Sequence, residues 1–179
     1  CKERQVFGKR IIDFQVWQHK FADHQTKLEA ARRLTYHAVT LFNDHQECTT
    51  EISMAKLFAG DLSQQLAYDC LQAQGGYGYM EEYDVARAYR DARINRIFEG
   101  TNEINRMLIP GMLMKRATRG FPLIEWVTAV AEEVRAGSLP SFEGPLAPER
   151  KAAECIKRMA GLALGTAAQA LGPALEERQ

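Results

Sequence analysis

No stretch of this chain is apolar for long enough to cross a membrane. The longest weakly polar run, "MAGLALGTAAQALGPAL" from Met159, carries Gln169 and Pro173. It falls short of the roughly 20 apolar residues a spanning helix needs, so no transmembrane segment is expected and the run reads as a buried helix of a water-soluble protein. An excess of one charge is also missing: 23 basic residues face 23 acidic ones, which gives no support to a nucleic-acid surface. A hydrophobic share of 46% argues against disorder and for a proper core. Cysteine is scarce. Cys1, Cys48, Cys70 and Cys155 share no metal-ligand spacing and follow no secretory signal, as reduced thiols of an intracellular protein would. HExxH, CxxC and GxSxG are absent, and His19 and His24, five apart, do not share a helix face. No metal site and no serine nucleophile are expected.

Alternation of period two is lacking too, so the fold class reads as all-α. From Asp13, a candidate N-cap, to Asn43 the apolar residues Phe14, Trp17, Phe21, Leu28, Ala31, Leu34, Ala38 and Leu41 define one helical face. Thr50 is placed to cap a second helix with the stripe Ile52, Ala55, Ala59, Leu62, Leu66 and Cys70, stopped at Gly75-Gly76. "GGYGY" follows a helix rather than a strand, which argues against a Rossmann-type phosphate loop. A short helix is expected near Tyr83 to Tyr89 in otherwise non-repetitive chain, where Arg87, Arg90, Asp91 and Arg93 suggest two Arg–Asp pairs. Thr101 is a good N-cap for a helix carrying Ile104, Met107, Gly111 and Met114, with Pro110 predicting a kink or break. Beyond Gly120 the texture changes. Pro122 suits the first turn of a helix with Leu123, Val127, Val130 and Val134, "GSLPSFEGPLAP" reads as a linker, and a last helix from about Pro148 has Gly161 and Gly165 placed for close backbone approach. Two modules are expected, residues 1–120 and 121–179. The opening "CKERQVFGKR", in helical register without a start signal, and the closing "ALEERQ", without a stop, suggest a piece of a longer protein.

One acid stands out in "RINRIFEGTNEINR". Glu99 lies between the apolar pair Ile97-Phe98 and a Gly-Thr step. The common reading of an acid two residues before an N-cap is a solvated one. The flanks allow another: Ile97 and Phe98 would exclude water from one side and Gly100 leaves room for a second molecule. A carboxylate so placed has its charged form disfavoured and its pKa pushed up, which suits a proton acceptor near neutral pH.

The stretches "ERQVFGKRIIDFQ", "LQAQGGYGYMEEYDVARAYRDARI" and "IFEGTNEINR", in this order and spacing, resemble the C-terminal helical domain of acyl-CoA dehydrogenases, flavoenzymes that desaturate fatty-acyl thioesters. The resemblance covers roughly residues 1–120 and implies an antiparallel helical bundle. It implies that Glu99 is the base that takes the α-proton while the β-hydrogen leaves as hydride to FAD, and that Gly100 lets the thioester lie close. It places Thr101 and Glu103 where a helix start meets the flavin. Arg4, Phe7, Phe14 and Gln15 match positions that reach the FAD of a neighbouring subunit, as do Gln72, Gln74, Gly75 and Gly76 in the turn beside its phosphates and adenosine. Arg4 is a planar multi-donor partner for a pyrophosphate and the glycine turn offers amides. Implied partners are an acyl-CoA substrate, electron-transfer flavoprotein and further copies of the chain, as dimer or tetramer.

The sequence departs from the family pattern at Val6, where many relatives carry a hydroxyl, and in lacking the family's N-terminal helical and β domains, so the polypeptide alone is expected to be inactive. The part after residue 120 resembles, by helical character and position alone, the extra helical region of very-long-chain-type and many bacterial members. Two alternatives remain open: an acyl-CoA oxidase with the same base and flavin, and a helical assembly module that kept the fold without the chemistry. The compartment implied is cytoplasm for a bacterial owner and mitochondrial matrix for a eukaryotic one.

Overall fold

The structure, a computed structural model, describes residues 3–138 and 140–171. Cys1, Leu139 of the linker, Pro173 and the closing "ALEERQ" lie outside the described residues. From Glu3 to Arg10 the opening segment is not helical. Strands β1 (Gln5–Val6) and β2 (Lys9–Arg10) pair antiparallel, Gln5 opposite Arg10 and Val6 opposite Lys9. Phe7 and Gly8 turn the chain with φ of 52° and 75°, the two positive values that a tight two-residue hairpin turn requires. Two residues per strand are too few to show alternation, so the ladder was invisible in the pattern. A 3-10 turn over Ile11–Asp13 leads into the first helix.

Seven α-helices follow among the described residues: α1 (Gln15–Asn43), α2 (Thr49–Gln74), α3 (Gly76–Tyr79), α4 (Asp84–Ile94), α5 (Asn102–Thr118), α6 (Leu123–Arg135) and α7 (Ala147–Leu171). Asp13 does not cap α1. Phe14 occupies the cap position, because the Asp13 carboxylate is taken by Arg10, accepting from its backbone N–H (3.3 Å) and its guanidinium (2.8 and 2.9 Å). Thr50 does not cap α2 either. Cys48 stands at the cap, and Thr50 is fully buried within the first turn.

The chain forms two compact units, divided between Met112 and Leu113. In the first, α2 packs against α1, α3 and α4. A helix with neighbours on more than one side buries more than one stripe. So α2 buries Thr50, Ser53, Gly60, Leu62, Asp69 and Ala73 while Ile52 of the expected stripe is 48% exposed. Helix α4 runs five residues beyond the expected Tyr89, because Val85, Ala86 and Ala92 are buried beneath an arginine-rich outer face that masked the periodicity. Its charges pair differently as well: Arg87 meets Asp91 at 3.5 Å, but Arg90 reaches Glu81 at 3.0 Å. Helix α5 continues through Pro110 without a break.

In the second unit α6 packs on α7. Pro122 sits at the cap of α6, one residue before the helix. Val130 is almost completely buried, worth about 1.5–3 kcal/mol of apolar transfer. The paired glycines of α7 do what their spacing suggests: a Cβ on Gly161 would stand 2.6 Å from Trp126 Cη2, and one on Gly165 2.5 Å from Val127 Cγ1. The apolar run of α7 is only partly covered, with Gly161 buried and Met159 exposed. Among the described residues no helix is long and apolar enough to cross a membrane.

Candidate active site

Glu99 and Gly100 turn the chain from α4 into α5. Both have positive φ, 56° and 79°. Glycine adopts this conformation freely, but for a glutamate it costs on the order of 1–3 kcal/mol, so the surroundings must hold it. They do so from two helices. The Gly100 carbonyl accepts from Lys56 Nζ on α2 at 2.6 Å and from Asn105 Nδ2 on α5 at 2.9 Å. Asn105 also donates to the Thr101 carbonyl at 3.0 Å.

Behind the turn lies a polar cluster that sequence reasoning missed. Asn102 is fully buried; its Nδ2 donates to Asp61 Oδ1 at 2.9 Å, its Oδ1 accepts from Lys56 at 3.1 Å, and its backbone N–H donates to the Arg96 carbonyl at 3.0 Å. Asp61 also pairs with Arg96 at 2.8 Å and Arg106 at 2.9 Å. Gly60 makes the approach possible: a Cβ there would lie 3.3 Å from the Asn95 carbonyl and 3.5 Å from Asn102 Oδ1. The available signal was a lone glycine, followed by an acid, inside an otherwise good helix.

Glu99 itself is exposed, and Ile97 and Phe98 are each 48% exposed. The dry pocket expected from these flanks is therefore not formed by the described residues; two neighbouring apolar side chains cannot exclude water without a covering surface. Thr101 caps α5, its hydroxyl accepting from the Ile104 N–H at 3.2 Å. Glu103 is exposed, and its carboxyl is held below the usual range by its own backbone N–H and then by the Thr101 hydroxyl.

A second group gathers at the other end of α2. Gly75 ends the helix with φ 61° and ψ −138°, a conformation close to glycine-only, and its N–H donates to the Gln72 carbonyl at 3.0 Å. The Arg4 guanidinium rests on this glycine, Cζ lying 2.6 Å from where a Cβ would stand. Gln74 closes α2, and a Cβ on the exposed Gly76 would meet nothing within 4 Å. Phe7 sits at the hairpin tip, 98% exposed; Phe14 and the exposed Gln15 open α1. The structure thus joins Arg4 to the Gly75 turn. It does not join that group to Glu99: from Lys56, which holds the Glu99 turn, to Gly75 runs about 28 Å of helix.

Between α1 and α2, His24 Nε2 lies 2.8 Å from Asp69 Oδ2, and Lys20 bonds the other carboxylate oxygen. Burial pushes the Asp69 carboxyl up, but the bonds from Lys20 and His24 outweigh it and hold the group below the usual carboxylate range. Both His24 and Asp69 are buried, and this pairing joins the two long helices.

Residues 1–113 match the family model for the acyl-CoA dehydrogenase C-terminal domain. The chain is 47% identical to the caffeyl-CoA reductase-Etf complex subunit CarC of Acetobacterium woodii, over 65% of this chain and 31% of that protein. It is 48% identical to an acyl-CoA dehydrogenase of Bacillus subtilis, over 64% of this chain and 30% of that protein. Its fold is similar to the crystal structure of acyl-CoA dehydrogenase complexed with FAD from Bacillus anthracis. That similarity has a TM-score of 0.89 at 32% identity and covers 99% of this chain and 33% of that one. The chain spans about a third of the length of the curated relatives it matches. With three motifs in register, an almost wholly helical fold and these matches, the chain belongs to the acyl-CoA dehydrogenase family.

Proposed function

We propose that this chain is the C-terminal helical part of a FAD-dependent acyl-CoA dehydrogenase in which the Glu99 carboxylate takes the α-proton of a fatty acyl-CoA thioester. The observation that carries the reading is the Glu99-Gly100 turn, a strained carboxylate-bearing residue whose neighbouring carbonyl is fixed from α2 and α5. Strain that its surroundings overdetermine is a mark of functional positions. Gly100 carries no side chain to obstruct a thioester beside the base. Covering Glu99, Ile97 and Phe98 falls to other parts of the holoenzyme, which would exclude water from the base.

The residues fit a cofactor with a pyrophosphate. The Arg4 guanidinium over the side-chain-free Gly75, beside the open Gly76, forms a cationic, donor-rich surface for phosphate oxygens. Gln72, Gln74, Phe7, Phe14 and Gln15 complete this end, and Thr101 and Glu103 mark the other, at the start of α5. When bound, the flavin accepts the hydride that leaves the β-carbon. Separation of the two groups along α2 supports a shared arrangement: the Arg4–Gly75 group serves the FAD of a neighbouring copy while Glu99 works at its own, which makes the enzyme a homo-oligomer. Electron-transfer flavoprotein is the proposed redox partner, in the compartment where acyl-CoA is oxidised.

The test is Glu99→Gln in the full-length holoenzyme, with flavin reduction by acyl-CoA followed anaerobically. A positioned general base is typically worth about 10² to 10⁴-fold, so reduction should fall by that factor while FAD stays bound. Unchanged reduction overturns the assignment. A second reading, use of the same carboxyl as the acid of enoyl-CoA reduction, is favoured by the reductase name of the Acetobacterium relative; rates measured in both directions separate the two.

A further inference from the structure

Resting on Glu99 as the base, we propose that Lys56 is a positioning residue for catalysis: its ammonium orients the peptide on which the base depends. The side chain of a residue at φ 56° points where the backbone aims it, and that backbone is not one a glutamate adopts by preference. One residue on, the Gly100–Thr101 peptide has its oxygen pinned by Lys56 at 2.6 Å and Asn105 at 2.9 Å, which fixes the end of the turn that carries Glu99. Asn105 belongs to the helix that the turn itself starts, and moves with it. Lys56 belongs to α2, 44 residues away, so its bond ties the turn to the bundle's central helix.

The ammonium is itself held. It donates to Asn102 Oδ1 at 3.1 Å, and the buried Asn102 is locked by Asp61, which Arg96 and Arg106 pair. Lysine suits this post because its three donors can serve two acceptors on diverging lines. A charge-assisted bond to a carbonyl is also shorter and stronger than a neutral one. Lys56, Gly60 and Asp61 are then one device on α2: the glycine admits the turn, the acid fixes Asn102, and the lysine sets the peptide. Lys56 acts on the base through the carbonyl of the adjoining Gly100, so its loss should affect the rate of proton removal more than substrate affinity.

The experiment uses the full-length holoenzyme with Lys56→Met, Lys56→Arg and Glu99→Gln, and a series of acyl-CoA thioesters of graded chain length. It measures anaerobic flavin reduction, KM, FAD content and Tm. Small misplacements of a reacting group cost up to about 100-fold, so Lys56→Met should lower reduction by roughly 10- to 100-fold with KM and FAD content little changed and Tm lowered only modestly, as expected for a buried acceptor left without its donor. Lys56→Arg should recover most of the rate. Wild-type reduction in Lys56→Met alongside a dead Glu99→Gln overturns the role of Lys56 and leaves the base standing; wild-type reduction in Glu99→Gln overturns both. A rate loss that tracks lost FAD and is not rescued by arginine makes Lys56 a scaffold residue and also overturns the proposal. If the methionine variant does not fold, Lys56→Ala, which also removes the donor, is read in the same way.

Discussion

The guanidinium of Arg4 lies against the α-carbon of Gly75, with Cζ 2.6 Å from the place a Cβ would occupy. The residue just before the hairpin and the end of α2 thus meet through the smallest residue available. Gly75→Ala would have to expel the arginine and hold an alanine at φ 61°, ψ −138°. The substitution should cost about 1–3 kcal/mol, read as a lower Tm, and should release FAD from the holoenzyme. Retained flavin and an unchanged Tm would remove this turn from the cofactor site.

Asp69 makes the bundle acid-sensitive. Its folded pKa lies below the unfolded value despite burial, through Lys20 and His24. The pairing therefore contributes in full above about pH 4, the ordinary carboxylate range, and is lost as pH falls through the folded value. Asp69→Asn should flatten the acid limb of urea-denaturation stability and lower stability at neutral pH by about 1–3 kcal/mol. An unchanged acid limb would show that other carboxylates control it.

In the second unit, Gly161→Val should wedge two methyl groups into the Trp126 ring. Overpacking of this kind costs about 1–3 kcal/mol, and tryptophan fluorescence should report the shift. The same change at Gly111, where a Cβ would meet nothing within 4 Å, serves as the comparison and should leave that signal alone.

Because Glu99 is exposed and Ile97 and Phe98 are half exposed in this chain, the 179-residue polypeptide alone should not desaturate acyl-CoA. Adding FAD and an acyl-CoA to the purified chain should give no stoichiometric flavin complex and no bleaching. A yellow complex that bleaches would refute this.

Much was legible without coordinates, though not evenly. The long helices α1, α2 and α7 were readable because apolar spacing is a local property. Their caps were less so: Asp13 and Thr50 are good capping types, but one is engaged by Arg10 and the other buried. The 2-residue strands were below the length at which a period can be recognised. The stripe of α2 was misjudged because a helix packed on more than one side does not follow a one-sided rule.

The sequence by itself determined the helical class, the stop at Gly75 and the motif that singles out Glu99, since each is written in neighbouring residues. Tertiary structure alone decided that Lys56 holds the Gly100 carbonyl, that Arg4 lies on Gly75, and that the flanks of Glu99 stay open to water. The reason is physical: pattern reports which way a side chain faces on its own element, whereas a partner 44 residues away is chosen by how whole helices pack.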